Sequence, residues 1–408
     1  MRRVVVTGLG VLSAVGNTPA AFFETLVAGR SGIRHLSHSF PEDATPRLAA
    51  EVDFHPAAHF TPMRASMLDR TTMLALVAAR QAFADAGIPV EQPEHFGVYW
   101  GTGAGGANTT EEAYRGLWQN PPGRAKPATV VMAMNNAAAS EISLEFGLQG
   151  PSLTYSTACS SAAVAIGEAF HAIRYGHVDS AIAGGADAML TLGTLKAWRA
   201  LQTVAREDEK DPATSCRPFA KDRSGFVIGE GAGALILEEA DRATQRGATI
   251  YAELAGYGVS SDAQHVTKPS AAGQARAISN ALREAGLTSE DIGYVNAHGT
   301  ATAVGDIVET VALKMALGDG ARKVRISSTK SMHGHLMGAT GAVEFIAALL
   351  ALRHGVIPPT AHLFHADPEC DLDYVPNEAR QVSGIKAVLS SSFAFGGNNA
   401  VLAAKAFT

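Results

Sequence analysis

The sequence predicts an α/β protein in which helices and β-sheet pack in layers. Short runs rich in β-branched residues alternate with alanine-rich helical patterns along the whole chain, and this alternation is typical of layered α/β folds. A chain of 408 residues that is 47% hydrophobic can build one large core or two fused ones. No low-complexity tract or long flexible linker interrupts the sequence, which favours a single unit.

The predicted elements follow from length and periodicity. Strands are predicted for the short apolar runs at 4–6, 96–100, 180–183, 234–237, 324–327 and 387–389. Helices are predicted for the longer alanine-rich segments at 20–28, 70–86, 162–175, 272–285, 307–317 and 342–354. Each half of the chain then has a strand, a turn of small residues and a buried helix. This weak internal symmetry puts the junction near residues 245–255.

Two glycine-rich turns could suggest a dinucleotide-binding loop. They are Gly8-Leu9-Gly10 and the segment 101–106. Neither places three glycines between a strand and a helix at the spacing that such a loop needs. We interpret both as tight turns and as sites where backbones pack closely.

Charge and cysteine content exclude several kinds of partner. The balance of 33 basic and 39 acidic residues gives a net charge of −6, which argues against nucleic acid or a membrane surface as partner. Three cysteines without paired spacing indicate no disulfide framework and predict a reducing cytoplasm. The start of the chain passes directly into a strand-like run, and the most apolar segment, 342–352, is short and contains Glu344. We therefore expect neither a signal peptide nor a membrane span.

The segment Ser156 to Ala162 places Cys159 among small residues where an apolar run becomes a helix. A thiolate at a helix start faces unpaired N–H groups and the positive end of the helix dipole, which predicts a depressed pKa. The helix that follows is apolar on most sides and would hold the thiol rigidly. Buried free cysteines are common, so this segment alone leaves nucleophile and core residue as equal alternatives.

Two later segments have the pattern of catalytic loops. Each is a strand-like run that ends in histidine and glycine, at Ala297-His298-Gly299-Thr300 and at Met332-His333-Gly334-His335. A single histidine is more often structural than catalytic, but two in glycine-flanked loops favour chemistry. A third segment, Phe393-Ala394-Phe395-Gly396-Gly397, puts aromatic residues beside a glycine pair whose backbone can approach a ligand.

Taken in order, these segments resemble the condensing enzymes of the thiolase superfamily, specifically the elongating β-ketoacyl-acyl carrier protein synthases of type II. The resemblance covers essentially the whole chain. It implies a five-layered αβαβα fold of two pseudo-symmetric halves. We expect residues 1–250 to form the half with the cysteine and residues 251–408 the half with the histidines.

The resemblance also implies a catalytic set of Cys159, His298 and His335. Cys159 is expected to accept an acyl group from the phosphopantetheine of an acyl carrier protein. The two histidines, as neutral imidazoles, are expected to donate hydrogen bonds to the thioester carbonyl of malonyl-carrier protein as carbon dioxide leaves. Backbone N–H groups of Cys159 and Phe395 are expected to form the oxyanion hole. No metal or redox cofactor is expected.

Further residues match supporting positions of that family. Lys330 and Glu344 match a pair that supports the histidine loop, and we expect the charge of Lys330 to keep His335 neutral. The remaining assignments are to substrate binding, for Thr300, Thr302, Phe393, Phe395 and Thr110. Core packing is expected of at least one of the two phenylalanines, and turn formation is the alternative for the threonines.

Some residues depart from the family pattern. Asn398 replaces a usual threonine, His333 stands where many relatives carry threonine, and Thr110 aligns with a bulkier aliphatic residue that limits the acyl pocket. The pair His333 and His335 could suggest a metal site, but no cluster of cysteine, histidine or aspartate accompanies it in sequence. Thr110 predicts an altered acyl preference and thus a specialised polyene or polyketide pathway.

The function predicted from the resemblance is decarboxylative condensation that gives 3-oxoacyl-acyl carrier protein, an acyltransferase reaction. The expected partners are an acyl carrier protein and a second ketosynthase chain, as a homodimer or as a heterodimer with a chain-length factor. A thiolase would need a second active-site cysteine, and neither Cys216 nor Cys370 lies in such a motif. A priming synthase would carry asparagine in place of the second histidine. A non-catalytic chain-length factor would lack Cys159.

Overall fold

A mixed ten-stranded β-sheet lies at the centre of the computed structural model, which describes residues 1–37, 47–119 and 123–408. In chain order the strands are β1 (Val4–Leu12), β2 (Arg34–His35), β3 (Leu48–Ala49), β4 (Phe96–Gly101), β5 (Ser152–Tyr155), β6 (Ser180–Asp187), β7 (Gly231–Glu239), β8 (Ala252–Ser261), β9 (Ile292–Asn296), β10 (Arg325–Ser327), β11 (Val356–Ile357), β12 (Arg380–Gln381), β13 (Ala387–Phe393) and β14 (Asn398–Lys405). The α-helices are α1 (Pro19–Val27), α2 (Pro62–Ala65), α3 (Arg70–Ala86), α4 (Ala107–Gln119), α5 (Thr129–Ala133), α6 (Ala137–Phe146), α7 (Ser161–Arg174), α8 (Leu192–Ala200), α9 (Ala240–Gln245), α10 (Ala271–Ala285), α11 (Gly305–Leu317), α12 (Lys330–His333) and α13 (Thr340–His354).

The two halves of the large sheet repeat one topology. From the middle outward, the N-terminal half has the order β1-β7-β6-β4-β5 and the C-terminal half has the order β8-β14-β13-β9-β10. In both halves the inner two pairings are antiparallel and the outer two are parallel. The halves join through antiparallel pairing of β1 with β8, where Val4 lies opposite Leu254.

Helices cover and separate these halves. On the outside, α3 packs on β1 and β7, and α10 packs on β8 and β14. Between the halves, α7 contacts β4 and β6 on one side and β8 and β14 on the other, while α13 contacts β7, β9 and β13. The result is the five-layered αβαβα fold that the resemblance implied. The predicted domain boundary at residue 250 falls between α9 and β8 and stays a prediction.

Glycines in the central strands allow the outer helices to pack closely. A Cβ atom at Gly10 of β1 would lie 2.0 Å from the carbonyl oxygen of Ala78 in α3. In the other half, a Cβ atom at Gly258 of β8 would lie 2.0 Å from the carbonyl oxygen of Ala277 in α10. A side chain at either glycine would push helix and sheet apart. The close-packing interpretation of Gly10 is therefore confirmed, and a glycine has the same role in the other half. The tight-turn interpretation of Gly8-Leu9-Gly10 is wrong, because these residues lie inside β1 and pair with β7.

The predicted elements overlap observed ones of the same type. The six predicted strands overlap β1, β4, β6, β7, β10 and β13, and the six predicted helices overlap α1, α3, α7, α10, α11 and α13. Two long central strands, β8 and β14, were not predicted. Within the described residues, no helix has the length and apolar character needed to cross a membrane.

Candidate active site

Cys159 lies in a sharp turn between β5 and α7. A single 3₁₀ turn, Ala158–Ser160, joins these elements, and Ala158 has a φ of 52°, which residues with a Cβ atom rarely adopt. The Ser161 hydroxyl fixes the turn, because it accepts from the Thr157 N–H at 2.9 Å and donates to the Ala158 carbonyl at 2.6 Å. The thiol is thereby held, buried, just before the central helix.

The Cys159 side chain borders a cavity of about 320 Å³. Most of the residues assigned from the sequence line it, namely Cys159, His298, Thr300, Thr302, His335, Phe393 and Phe395. Thr110 does not, because it lies on α4 in a separate surface concavity with Tyr114 and Trp118. Substrate contact by Thr110 therefore stays a prediction.

The two histidines enter the cavity from neighbouring loops. His298 follows β9 and His335 follows α12. The His335 Nε2 atom lies 3.1 Å from the Cys159 Sγ atom. The two imidazole rings are 5.6 Å apart between centroids and nearly perpendicular, at 86°. The structure thus brings together three side chains that are 37 or more positions apart in sequence.

Hydrogen bonds on the far side of each ring determine which nitrogen carries its proton. The Met337 N–H donates to His335 Nδ1 at 3.1 Å, so Nδ1 accepts and Nε2 carries the proton. Lys330 Nζ lies 3.4 Å from His298 Nδ1, and an ammonium group only donates, which assigns the His298 proton to Nε2 as well. Both histidines therefore present an Nε2–H donor.

Lys330 contacts the first histidine rather than the second. Its Nζ atom donates to the His298 carbonyl and lies 2.7 Å from Glu344 Oε1, and both side chains of this ion pair are fully buried. The prediction that the charge of Lys330 keeps His335 neutral is confirmed, because this charge lowers the pKa of His335. The contact of Lys330 with His298 was not predicted. Burial raises the pKa of Glu344, and Lys330 opposes that effect.

Burial and charge keep both histidines neutral. Desolvation, followed by the charge of Lys330, lowers the pKa of His298 and of His335 well below the usual 6.5. A buried histidine with a depressed pKa makes its full contribution to the free energy of unfolding at any pH above its unfolded-state pKa. That contribution is lost as the pH falls below about 6.5.

The thiol itself differs from the expectation for a helix-start cysteine. Burial raises the pKa of Cys159 to about 11, although Lys330 and the backbone N–H groups of Phe395 and Cys159 lower it in part. The prediction of a depressed pKa is therefore wrong, because desolvation of the charged sulfur outweighs the helix-start dipoles. The same two N–H groups face the sulfur, where an oxyanion hole is expected.

The three groups also meet the distance requirement for a metal site. The Sγ atom and one nitrogen of each histidine lie within 4.8 Å of one another. A metal-bound histidine donates its other N–H to an acceptor. Here the far nitrogens of His298 and His335 face donors, Lys330 and the Met337 N–H. This arrangement favours two Nε2–H hydrogen-bond donors over metal ligands.

Two family profiles match most of the chain. The profile for the N-terminal domain of β-ketoacyl synthases matches residues 1–243, and the profile for the C-terminal domain matches residues 251–364. The chain belongs to the β-ketoacyl synthase family.

Relatives and solved structures agree with this membership. The synthase is 41% identical to 3-oxoacyl-[acyl-carrier-protein] synthase 2 of Staphylococcus aureus over 100% of this chain and 99% of the relative. It is 42% identical to nodulation protein E of Rhizobium meliloti over 99% of each chain. The AntDE ketosynthase, solved with its carrier protein AntF, matches with a TM-score of 0.92 at 32% identity over the full length of both chains. The ishigamide ketosynthase/chain length factor matches with a TM-score of 0.92 at 35% identity, again over both full chains.

Sequence reasoning missed two aromatic residues of the synthase cavity. Trp198 of α8 lies over Phe395, with ring centroids 6.0 Å apart at 24°, and meets the edge of Phe226 at 5.5 Å. Phe226 in turn packs edge-on against His335 at 5.1 Å. Phe226 lies in the segment Gly225-Phe226-Val227, where a glycine beside an aromatic residue could have indicated it. Trp198 lies in no recognised motif, so no sequence signal pointed to it.

The raised pKa of Cys159 predicts how the free synthase reacts with alkylating agents. We expect alkylation by iodoacetamide to accelerate about tenfold per pH unit between about pH 7 and 9, because the thiolate fraction rises in proportion. Mass spectrometry of the peptide that contains Cys159 measures this rate. A plateau near neutral pH would instead show that the thiolate already predominates there.

The buried pair of Lys330 and Glu344 predicts a non-additive effect on stability. Lys330→Met leaves the Glu344 carboxylate buried without its partner and should reduce the free energy of unfolding by about 3–5 kcal/mol. The double variant Lys330→Met/Glu344→Leu removes both charges and should lose less than the single variant. Urea unfolding of the three proteins provides the comparison. A double variant less stable than the single one would contradict the prediction.

Proposed function

We propose that this synthase condenses an acyl group held on Cys159 with malonyl-acyl carrier protein and forms 3-oxoacyl-acyl carrier protein and carbon dioxide. The observation that carries the proposal is the position of His335 Nε2, 3.1 Å from Cys159 Sγ, beside His298 in one cavity. A nucleophile and two neutral donors around one space suit a reaction that forms an enolate and then a tetrahedral intermediate.

In the first step, the Cys159 sulfur attacks the thioester carbonyl of an acyl-carrier protein. The new bond joins Sγ to the acyl carbon, the bond to the pantetheine sulfur breaks, and the thiol proton ends on the released pantetheine. The backbone N–H groups of Cys159 and Phe395 face the thiol, which supports their role in binding the oxyanion. Because the thiol is protonated near neutral pH, its deprotonation must accompany attack.

In the second step, malonyl-carrier protein loses carbon dioxide. The bond between the carboxylate carbon and the malonyl α-carbon breaks, and its electron pair forms an enolate. The enolate oxygen accepts hydrogen bonds from the Nε2–H groups of His298 and His335. The enolate carbon then attacks the acyl-cysteine carbonyl, and the Cys159 thiolate leaves and takes a proton from solvent. Neutral donors suit this step, because a protonated imidazole would bind the malonyl carboxylate in its ground state.

The supporting residues receive proposed roles from their contacts. Thr300 and Thr302 line the cavity with hydroxyls 3.1 Å apart, which suits pairing with the amides of the pantetheine arm. Lys330 fixes the His298 proton at Nε2, and Glu344 neutralises the Lys330 charge. Phe393 is buried at the end of β13, where core packing is its main role, while half-buried Phe395 provides the wall beside Trp198.

The proposal includes two protein partners and no metal or redox cofactor. Substrates arrive as thioesters on the phosphopantetheine of a carrier protein, as in the AntDE–AntF complex. A second ketosynthase chain, identical or of the chain-length-factor type, is proposed to cover the edge strand β5, where Leu153 is 45% exposed. The three cysteines are free thiols, which is consistent with work in the reducing cytoplasm.

Mass spectrometry of carrier-bound products tests the proposed reaction. The synthase is incubated with acyl-carrier protein and malonyl-carrier protein, and the expected product is a 3-oxoacyl group two carbons longer than the substrate. A Cys159→Ala variant serves as the control. Failure to form this product with any acyl chain from two carbons upward would overturn the proposal.

A specialised pathway is proposed over bulk fatty-acid synthesis. The similar structures include one bound to a hexaketide and the ishigamide ketosynthase, and the similar sequences include nodulation protein E. A panel of saturated, unsaturated and 3-oxo acyl-carrier proteins would reveal the preference. Equal turnover of saturated chains of all lengths would contradict it.

Two other functions are less well supported by the observed contacts. A thiolase uses a second cysteine in the active site, whereas Cys216 and Cys370, both in the described part of the chain, lie outside the cavity lining. A non-catalytic chain-length factor lacks the nucleophile, whereas Cys159 borders the cavity here.

A further inference from the structure

His333 is a fully buried histidine that does not line the cavity. It lies at the end of the one-turn helix α12, two residues before His335, and its ring centroid is 6.3 Å from that of Phe22. Burial lowers the pKa of His333 to about 3, so the ring is neutral and each nitrogen is either a donor or an acceptor. None of the roles described above uses this side chain.

The contacts of His333 determine which of its nitrogens carries the proton. Its Nδ1 atom lies 2.8 Å from the Gly334 carbonyl oxygen, which only accepts, so Nδ1 carries the proton and donates. Its Nε2 atom lies 2.8 Å from Thr329 Oγ1 and accepts from that hydroxyl. The Thr329 hydroxyl in turn accepts from Asn296 Nδ2 at 3.3 Å. A buried series of hydrogen bonds therefore links Asn296, which precedes the His298 loop, through Thr329 and His333 to the loop of His335.

The Gly334 carbonyl and the His335 N–H belong to the same peptide unit. His333 donates to its carbonyl, and its N–H donates to the Val227 carbonyl at 2.7 Å, so the peptide is held at both ends. Gly334 has a φ of 69°, and a Cβ atom there would lie 2.8 Å from Ala50 Cβ. The position therefore requires glycine, the residue that restrains its own backbone least. Hydrogen bonds must supply the restraint that the side chain does not.

We propose that His333 is a positioning residue that fixes the peptide between Gly334 and His335 and so aims the His335 Nε2–H at the reacting carbonyl. This inference rests on the proposed function, because it concerns the histidine-assisted loss of carbon dioxide. Loss of the His333 donor allows the peptide to rotate and moves the His335 ring, while the Cys159 turn stays in place. The effect falls on decarboxylation and spares acylation of Cys159.

Two amide variants separate positioning from core packing. In His333→Asn the side-chain NH₂ replaces Nδ1–H and keeps the donor to the Gly334 carbonyl. In His333→Gln the amide reaches the place of Nε2, and that donor is lost. Both are polar, neutral and buried, so each is a matched control for the other.

The measurements are decarboxylation of malonyl-carrier protein, acylation of Cys159 by acyl-carrier protein, and the unfolding temperature. We expect the Asn variant to decarboxylate within about threefold of the unmodified synthase, and the Gln variant to lose about tenfold or more, since small misplacements of catalytic groups are costly. Acylation should change by less than about threefold in both variants.

Several outcomes would overturn the inference. Equal decarboxylation by the Asn and Gln variants would show that the donor to Gly334 is irrelevant. Parallel loss of acylation and decarboxylation in the Gln variant would indicate a merely structural role. If the unmodified synthase does not decarboxylate malonyl-carrier protein at all, the proposed function fails instead, and the two failures are distinguishable.

A second pair of variants tests the same chain if the His333 variants fold poorly. Thr329→Val removes the hydroxyl that donates to His333 Nε2 and keeps the side-chain volume, and Thr329→Ser keeps the hydroxyl. The Val variant should decarboxylate less than the Ser variant with acylation unchanged. Equal rates in these two variants would count against the proposal.

Discussion

Replacement of Cys159 by alanine is expected to abolish chain elongation. The variant has no atom that can hold the acyl group as a thioester, so the rate of 3-oxoacyl product formation should fall by about 10⁴-fold or more. Cys159 borders the same cavity as both histidines, and the alanine side chain leaves their contacts with Lys330 and Met337 unchanged. Decarboxylation of malonyl-carrier protein should therefore persist. Product analysis by mass spectrometry and release of carbon dioxide measure the two activities separately.

Cys216→Ala and Cys370→Ala are the matched controls for this experiment. Both thiols are buried in apolar clusters away from the cavity lining, so each change should cost stability and leave elongation within about threefold. Residual elongation by Cys159→Ala would reject Cys159 as the carrier of the acyl group. Elongation lost equally in all three variants would point to a packing defect.

The order of motifs in the sequence identified three side chains that the structure brings together around one cavity. Cys159, His298 and His335 are far apart in the chain, but Cys159 lies just before the largely buried helix α7, His298 follows the buried strand β9, and His335 follows the buried helix α12. Their backbone turns depend on local glycines and small residues, which are visible in sequence. The glycines of the first strand likewise indicated close packing before any contact was known.

Other features depend on three-dimensional contacts that no local pattern encodes. Lys330 is the first residue of the one-turn helix α12, and its contact with His298, a residue 32 positions earlier, was not visible in sequence. The thiol pKa rises because burial, which sequence does not measure, outweighs the helix dipole. Strands β8 and β14 escaped prediction because glycine and alanine in β8, and alanine and asparagine in β14, have low strand propensity. Tertiary pairing between these strands outweighs that propensity.

Replacement of His298 or His335 by alanine is expected to affect decarboxylation far more than acylation of Cys159. Each change removes one Nε2–H donor from the developing enolate oxygen, and loss of one such donor in a dry site costs about 10²–10³-fold in rate. Acylation should fall by less than about tenfold, because the N–H groups of Cys159 and Phe395 remain in place. Malonyl-carrier and acyl-carrier substrates, tested one at a time, give the two rates.

Amide variants show whether the donor or the ring is required. His335→Gln places an NH₂ group near the position of Nε2–H and should recover part of the decarboxylation lost in His335→Ala, whereas His335→Asn is too short to do so. The two variants differ in this way because only Nε2 of His335 can donate. Its Nδ1 atom accepts a hydrogen bond from the Met337 N–H. If His335→Ala slows acylation as much as decarboxylation, His335 also serves the first step, in which its Nε2–H, 3.1 Å from the Cys159 sulfur, would donate to the developing thiolate.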